Sequence, residues 1–203
     1  MAKRPYVNVN MAGWMEHHGL RTKRKLIFHE TISHDRNGLS DITSVGRYIG
    51  KVGYGVHVIV DQEGKSGYAP PERAVYYQAK PDSSQSIGIE LVSFIPALNI
   101  SRWGRIKIWL SRERQLHKAA RWAAYFSSEH PIPLVYSTGK AAGITSHWNI
   151  SEAYHVAGGH WDCKPKHEGG HFPIKRVIKL ARLYKTGRIA HKPMKRLRLG
   201  KST

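Results

Sequence analysis

The sequence contains one cysteine, few acidic residues and no long apolar segment. A single cysteine in 203 residues excludes an intrachain disulfide framework and is typical of a protein made in a reducing compartment. No apolar run approaches the roughly 20 residues of a membrane-spanning helix, so we expect no transmembrane segment. The N-terminus begins with basic residues but lacks an apolar core segment, so we also expect no signal peptide.

Acidic residues are scarce relative to basic ones. There are 33 Lys and Arg residues against 14 Asp and Glu, which gives a net charge of +19. This charge predicts a polyanionic partner, and nucleic acid, an anionic membrane surface and an acidic cell-wall polymer all qualify. Eleven of the basic residues lie between Lys175 and Lys201, and no acidic residue follows Glu168. We expect the last part of the chain to be a solvated basic tail that binds polyanions.

The apolar pattern indicates an α/β fold. Period-two alternation predicts strands, and helical spacing predicts helices. The predicted strands are 25–29, 55–60, 86–94 and 144–150, and the predicted helices are 41–50, 111–130 and 173–184. We expect a single domain in which helices flank a central mixed β-sheet. Its predicted bounds are 25–185, after an irregular N-terminal arm over 1–24 and before the basic tail over 186–203.

Histidines are concentrated in one stretch, residues 146–173, with the sequence SHWNISEAYHVAGGHWDCKPKHEGGHFP. Besides five histidines it contains Asp162 and the single cysteine, Cys163. Its many glycines predict a loop, and a long loop inside a compact domain is usually functional. A solvated, histidine-rich surface loop is the alternative interpretation.

A further histidine, His29, lies far upstream at the end of the predicted strand KLIFH. Open α/β sheets bind their ligands at the carboxyl ends of their strands. Two histidines and one carboxylate or thiolate around an open position form the pattern of a catalytic zinc. The sequence therefore predicts a zinc site at the strand ends, built from His29, His147 and one residue of 155–163. The alternative for His29 is a hydrogen bond to the backbone.

Glu90 lies in the clearest predicted strand, SIGIELVSF, on the face opposite Ile87, Ile89 and Leu91. A carboxylate inside such a strand is costly to bury unless it is paired or functional. Glu90 is therefore a candidate to exchange a proton with a nucleophilic water and a leaving amine. A glutamate on an edge strand that faces water is the alternative.

Several segments together resemble the zinc-dependent N-acetylmuramoyl-L-alanine amidases of type 2. This family includes phage lysozymes of the T7 kind and shares its fold with peptidoglycan recognition proteins. The resemblance extends over roughly residues 25–184, through IFHET, GVHVIVDQEG, SIGIELVSF, TSHWNIS and HWDCKP followed by FPIKRVIKL. It implies Zn²⁺ held by His29, His147 and Asp162, with Glu90 as the catalytic acid and base. His160 takes the place of a family lysine that assists the oxyanion.

The sequence departs from the family pattern at several positions. Position 56, where some members have a catalytic tyrosine, is Val56, and Tyr54 is the nearest alternative stabiliser. Gln78 stands where many members have histidine, and KHEGG is added after Asp162. Some members use cysteine as the third ligand, so Cys163 remains an alternative. The family spacing favours Asp162, because His160 then holds the position of the stabilising base.

The resemblance implies hydrolysis of the amide between N-acetylmuramic acid and L-alanine in peptidoglycan, for phage-mediated host lysis. We expect a monomer made in the host cytoplasm and released to the cell wall at lysis, with no specific nucleic-acid partner. Another peptidase of the same wall is one alternative. A non-catalytic peptidoglycan-binding protein of the recognition type is another, and such a protein should lack one of the three ligands. A nucleic-acid-binding protein would explain the basic tail but not His29, Glu90 and the histidine-rich stretch.

Overall fold

The framework of the fold is a mixed β-sheet with parallel strands at its centre. The computed structural model describes residues 2–31, 39–95 and 98–189, and within these residues six strands form one sheet. The strands are β1 (Val9–Asn10), β2 (Lys25–Glu30), β3 (Val58–Val60), β4 (Ser66–Tyr68), β5 (Ser86–Leu91) and β6 (Gly143–Ser146). Their order across the sheet is β1-β4-β3-β5-β2-β6, and only β3 and β4 are antiparallel neighbours.

Helices cover both faces of this sheet. They are α1 (Leu39–Lys51), α2 (Arg102–Ser111), α3 (Glu113–Glu129), α4 (His147–Tyr154) and α5 (Ile174–Lys185). Every residue of β2 and β5 is buried, as expected for parallel strands with a covering layer on each side. In the described part of the chain, no helix is long and apolar enough to cross a membrane.

The larger core lies between the sheet and helices α3 and α5. Leu26 and Phe28 point into it from β2, with Ile87, Ile89 and Leu91 from β5. The ring of Phe28 lies 5.4 Å from that of Phe172, which in turn lies 5.2 Å from that of Trp109. Burying side chains of this size contributes about 1.5–3 kcal/mol each.

The opposite face is covered by α1 and by the N-terminal segment. Met11 and Ile42 pack against the sheet there, directly over Gly67. A Cβ atom at position 67 would lie 2.6 Å from Ile42 and 2.7 Å from Met11, so only glycine allows this close approach. Residues 2–24, which belong to the predicted irregular arm, therefore pack against the sheet and contribute β1.

The expected fold class is confirmed: the chain is an α/β domain with a central mixed sheet flanked by helices. Strand β2, helix α1 and helix α5 match their predicted counterparts within about two residues. The predicted long helix 111–130 is α3, although Ser111 ends α2 and does not cap α3. The predicted strands 55–60 and 86–94 are shorter in the structure, as β3 and β5.

Helix α2 was not predicted. It begins at Arg102, and the hydroxyl of the preceding residue, Ser101, accepts a hydrogen bond from Gly104 N. Two expectations were wrong. The predicted strand 144–150 ends at Ser146, because the Ser146 hydroxyl accepts from Asn149 N and starts α4. The stretch 146–173 is consequently not one loop, since it contains α4 and a short 3₁₀ turn at Lys166–Glu168. Most of the predicted basic tail, residues 190–203, lies outside the described residues.

Candidate metal centre

Strand register brings three of the predicted site residues to one edge of the sheet. In the β2–β5 pair His29 is the direct partner of Glu90, so their side chains leave the sheet on the same face. In the β2–β6 pair Phe28 is the partner of Ser146, which places His147 next to His29. All three residues thus lie at the carboxyl ends of neighbouring parallel strands.

Asp162 reaches this edge from the segment that follows α4. Its carbonyl accepts a backbone hydrogen bond of 3.2 Å from Trp148 N, in the first turn of that helix. Its carboxylate oxygen Oδ2 then lies 3.1 Å from His147 Nδ1 and 3.4 Å from His29 Nδ1. The two imidazole nitrogens are 3.2 Å apart.

These three atoms suit a metal ion. They form a nearly equilateral triangle, the residues that bear them are all buried, and each atom is of a type that ligates metals. Ligands about 2.0–2.1 Å from a tetrahedral zinc are about 3.3 Å apart, which agrees with the three separations. Two imidazoles and one carboxylate also match the ligand set of catalytic zinc sites.

The electrostatics of the cluster favour an ionised Asp162 and a neutral His147. Burial alone would raise the pKa of Asp162, but its contacts with His147 and His29 hold it well below its usual value. Burial lowers the pKa of His147 against the opposing effect of Asp162. An ionised carboxylate and a neutral imidazole are the forms that ligate metals.

Glu90 is buried beside this cluster, with 8% of its surface exposed. Burial, and then the charges of Asp162 and Glu30, raise its pKa well above the usual value. The carboxyl group therefore has a high proton affinity in the absence of a cation. This property suits a group that takes up and releases a proton.

His160 lies over the cluster at its solvent side. Its ring stacks on that of His147 with centroids 3.7 Å apart, and about half of its side chain is exposed. Its Nδ1 lies 3.9 Å from Asp162 Oδ1. Burial lowers the pKa of His160 below its usual value. A neutral imidazole ring can donate one hydrogen bond.

The other candidates lie elsewhere. Cys163 is fully buried in the core on the opposite face of the sheet, and burial followed by the charge of Glu30 raises its pKa well above the usual value. Tyr54 lies in the turn after α1 and is 59% exposed, and Val56 is buried under the N-terminal segment.

Of the five histidines in the histidine-rich stretch, two lie at the cluster. His155 ends α4 in a left-handed conformation, and His167 packs against Tyr136. His171 binds the buried carboxylate of Glu30 on the opposite face of the sheet, with a separation of 3.0 Å. The concentration of histidines along the sequence therefore overstates the number available to a metal.

Sequence reasoning missed the role of Gln78. Its amide oxygen Oε1 lies 3.2 Å from His29 Nε2, on the side of the ring away from the cluster. The sequence offered one signal, because Gln78 stands where many members of the resembled family have histidine. That signal did not predict a contact with His29.

A cleft of about 560 Å³ is lined in part by Trp161 and Lys164, which lie on the chain segment that carries Asp162. Arg102, Arg105 and Lys164 line it, and no acidic residue does. Arg102 donates hydrogen bonds to two carbonyls of the added KHEGG segment, whereas Arg105 Nε is buried with no acceptor in the described part of the chain. The cleft is thus a cationic, partly aromatic surface.

Several solved structures share this fold. The Staphylococcus aureus hydrolase AmiA, solved with its ligand, aligns with a TM-score of 0.64 and 15% identity, over 93% of this chain and 88% of AmiA. The endolysin N-acetylmuramoyl-L-alanine amidase LysCS from Clostridium intestinale aligns with a TM-score of 0.52 and 11% identity, over 86% of this chain and 95% of LysCS. An AmpD derivative aligns with a TM-score of 0.51 and 14% identity, over 89% of this chain and 98% of AmpD.

No protein-family model and no curated protein matches the sequence. At identities of 11–15% the structural likeness establishes the fold alone. The fold implied by the amidase resemblance is therefore confirmed.

Proposed function

We propose that this protein is a zinc-dependent N-acetylmuramoyl-L-alanine amidase, which hydrolyses the amide between N-acetylmuramic acid and L-alanine in peptidoglycan. The observation that supports this most strongly is the convergence of His29 Nδ1, His147 Nδ1 and Asp162 Oδ2 within 3.4 Å of one another. The fold, shared with an endolysin amidase, supports the same reaction.

In this proposal His29, His147 and Asp162 hold the zinc, which supplies Lewis acidity that polarises a carbonyl and makes water more acidic. Glu90 takes the proton of the attacking water and returns it to the amide nitrogen as the carbon–nitrogen bond breaks. Its position supports this role, because it is the direct strand partner of His29 and faces the same side of the sheet.

His160 assists by donating a hydrogen bond to the developing oxyanion. The support is its place above His147, at the solvent side where substrate must arrive. A neutral imidazole can perform this role with a ring N–H, so protonation to imidazolium is not needed.

The cleft behind Trp161 binds the peptide part of the substrate. Arg105 and Lys164 provide positive charge for its carboxylates, and the indole of Trp161, 46% exposed, provides an apolar wall. The wall polymer is also a suitable partner for a chain of net charge +19. The likeness to an endolysin supports a role in phage-mediated lysis of the host.

Metal analysis combined with product analysis tests the proposal. We expect about one zinc per chain, and lysis of purified walls that stops on chelation and returns with zinc. Digestion should release new L-alanine amino termini and no new reducing ends, because a glycosidase needs a flanking carboxylate pair. Full lytic activity without metal would refute the zinc mechanism, and new reducing ends would indicate a glycosidase.

A recognition-type protein that binds peptidoglycan without cutting it is less well supported. That alternative predicts the loss of one ligand, whereas all three candidate ligands lie together in one buried cluster. Binding of walls by the zinc-loaded protein, without release of amino termini, would favour it.

A further inference from the structure

We propose that Gln78 is a positioning residue for the metal centre, and that its carboxamide fixes His29 in the tautomer whose Nδ1 lone pair faces His147 and Asp162. The importance of this tautomer rests on the proposed metal centre. The tautomer itself is a property of the metal-free chain and can be tested separately.

The argument begins with the orientation of the Gln78 carboxamide. Its nitrogen Nε2 lies 3.2 Å from the carbonyl oxygen of Ser86 and 3.0 Å from the Ser86 hydroxyl. A carbonyl oxygen can only accept a hydrogen bond, so the amide nitrogen of Gln78 must face it. The Ser86 hydroxyl donates its own proton to the carbonyl of Asp82 at 2.7 Å and is left as an acceptor too.

This orientation determines the protonation of His29. With its nitrogen directed at Ser86, Gln78 presents its oxygen Oε1 to His29 Nε2 at 3.2 Å. An amide oxygen has no proton to donate, so Nε2 of the imidazole must carry one. In a neutral imidazole the other nitrogen, Nδ1, is then unprotonated, and it is the atom that lies beside His147 and Asp162.

The glycine at position 88 independently supports this placement of the Gln78 carboxamide. A Cβ atom at position 88 would lie 1.7 Å from Gln78 Oε1, far inside any allowed contact. The glycine in β5 therefore leaves the space that the amide oxygen occupies beneath His29. The backbone of Gln78 is also fixed, because the Ser83 hydroxyl accepts hydrogen bonds from the N–H groups of Gln78 and Ala79.

Removing the carboxamide should weaken metal binding without removing a ligand. A ligating histidine that loses the acceptor for its second N–H can rotate or change tautomer, and such losses typically lower metal affinity by about 10–100-fold. Gln78→Leu retains a buried side chain of similar size but has no acceptor for His29 Nε2.

The test uses the full-length chain with ¹⁵N-labelled histidine. Two-bond ¹H–¹⁵N spectra of the metal-free protein report the tautomer of His29, whose signals are assigned with a His29→Gln variant. We expect Nε2–H in the wild type and its loss or mixing in Gln78→Leu. Competition with a chelating dye should show about 10–100-fold weaker zinc binding in Gln78→Leu, and Gly88→Ala should change in the same direction.

Gln115→Leu is the matched control. Gln115 is buried, and its amide nitrogen Nε2 donates hydrogen bonds to the carbonyls of Val60 and Val92. The amide nitrogen of Gln78 likewise donates two hydrogen bonds, both to Ser86. In the described part of the chain no hydrogen bond joins Gln115 to His29, so its loss should reduce stability but leave the His29 tautomer and zinc affinity unchanged.

An Nδ1–H tautomer of His29 in the metal-free wild type would overturn the proposal, whether or not any variant folds. So would zinc affinity in Gln78→Leu equal to that of Gln115→Leu. If the wild type bound no zinc at all, the proposed metal centre would fail, while the metal-free spectra would still decide the tautomer.

Discussion

Replacing the thiol of Cys163 separates the two neighbouring candidates for the third metal ligand. Cys163 is fully buried in the apolar core that contains Phe172, and its pKa is raised well above the usual value by burial and then by nearby carboxylates. Metals bind the thiolate, which this environment disfavours. We therefore expect Cys163→Ser to bind one zinc per chain, like the wild type.

The cost of this substitution should appear in stability. A serine hydroxyl buried without a hydrogen-bond partner costs about 1–3 kcal/mol. For a domain of this size each kcal/mol lowers the melting temperature by about 2–4 °C, so the expected decrease is about 2–12 °C. Cys163→Ala places no hydroxyl in the core, so it should keep the zinc and avoid the cost of an unpaired polar group.

Asp162→Asn is the opposite perturbation, because it keeps the shape of the side chain and removes its negative charge. Thermal unfolding in chelator gives the stability of each metal-free variant, and elemental analysis after zinc loading gives its metal content. We expect Asp162→Asn to lose zinc. Zinc retained in Asp162→Asn but lost in both cysteine variants would assign the ligand to Cys163 and refute the reasoning.

Two further predictions concern charges away from the ligands. Wild-type protein should cleave N-acetylmuramoyl-L-alanyl-D-glutamate faster than N-acetylmuramoyl-L-alanyl-D-isoglutamine, in which an amide replaces one carboxylate. The double variant Arg105→Gln, Lys164→Gln should lose this preference. Equal rates in the wild type would reject the cationic cleft as the carboxylate site. Burial lowers the pKa of Lys23 to about 8 from 10.5. Because the unfolded chain then binds more protons between these values, urea unfolding should show the wild type gaining stability relative to Lys23→Met as pH rises from 8 to 10.5.

The pattern of the strands was sufficient to predict both faces of the central sheet. Leu26 and Phe28 alternate with Ile27 and His29, and the structure directs these pairs to opposite faces. A one-residue shift would bury His29 in the larger core, so the alternation specifies where the site must lie. The position of Glu90 on the same face as His29 follows from the same argument.

Contacts made by irregular segments were not predictable in this way. The segment before β5 has no periodic pattern, yet it delivers Gln78 to His29 through hydrogen bonds to Ser83 and Ser86. The Ser146 cap that converts the end of β6 into α4 is a local signal and could have been found. It was missed because the apolar residues around it also fit a strand.

The two histidines and the aspartate depend on different parts of the fold for their positions. Register in the sheet places His29 and His147 side by side, and this register is fixed by the buried faces of β2 and β6. Asp162 has no such support, since it lies on an irregular segment tied to α4 by its carbonyl and by the packing of its neighbour. That neighbour is Cys163, whose backbone is left-handed at φ 56° while its side chain lies in the core. The cysteine thus anchors the segment from one face of the sheet so that Asp162 reaches the other. This role accounts for a buried thiol next to a candidate metal ligand without assigning the thiol to the metal.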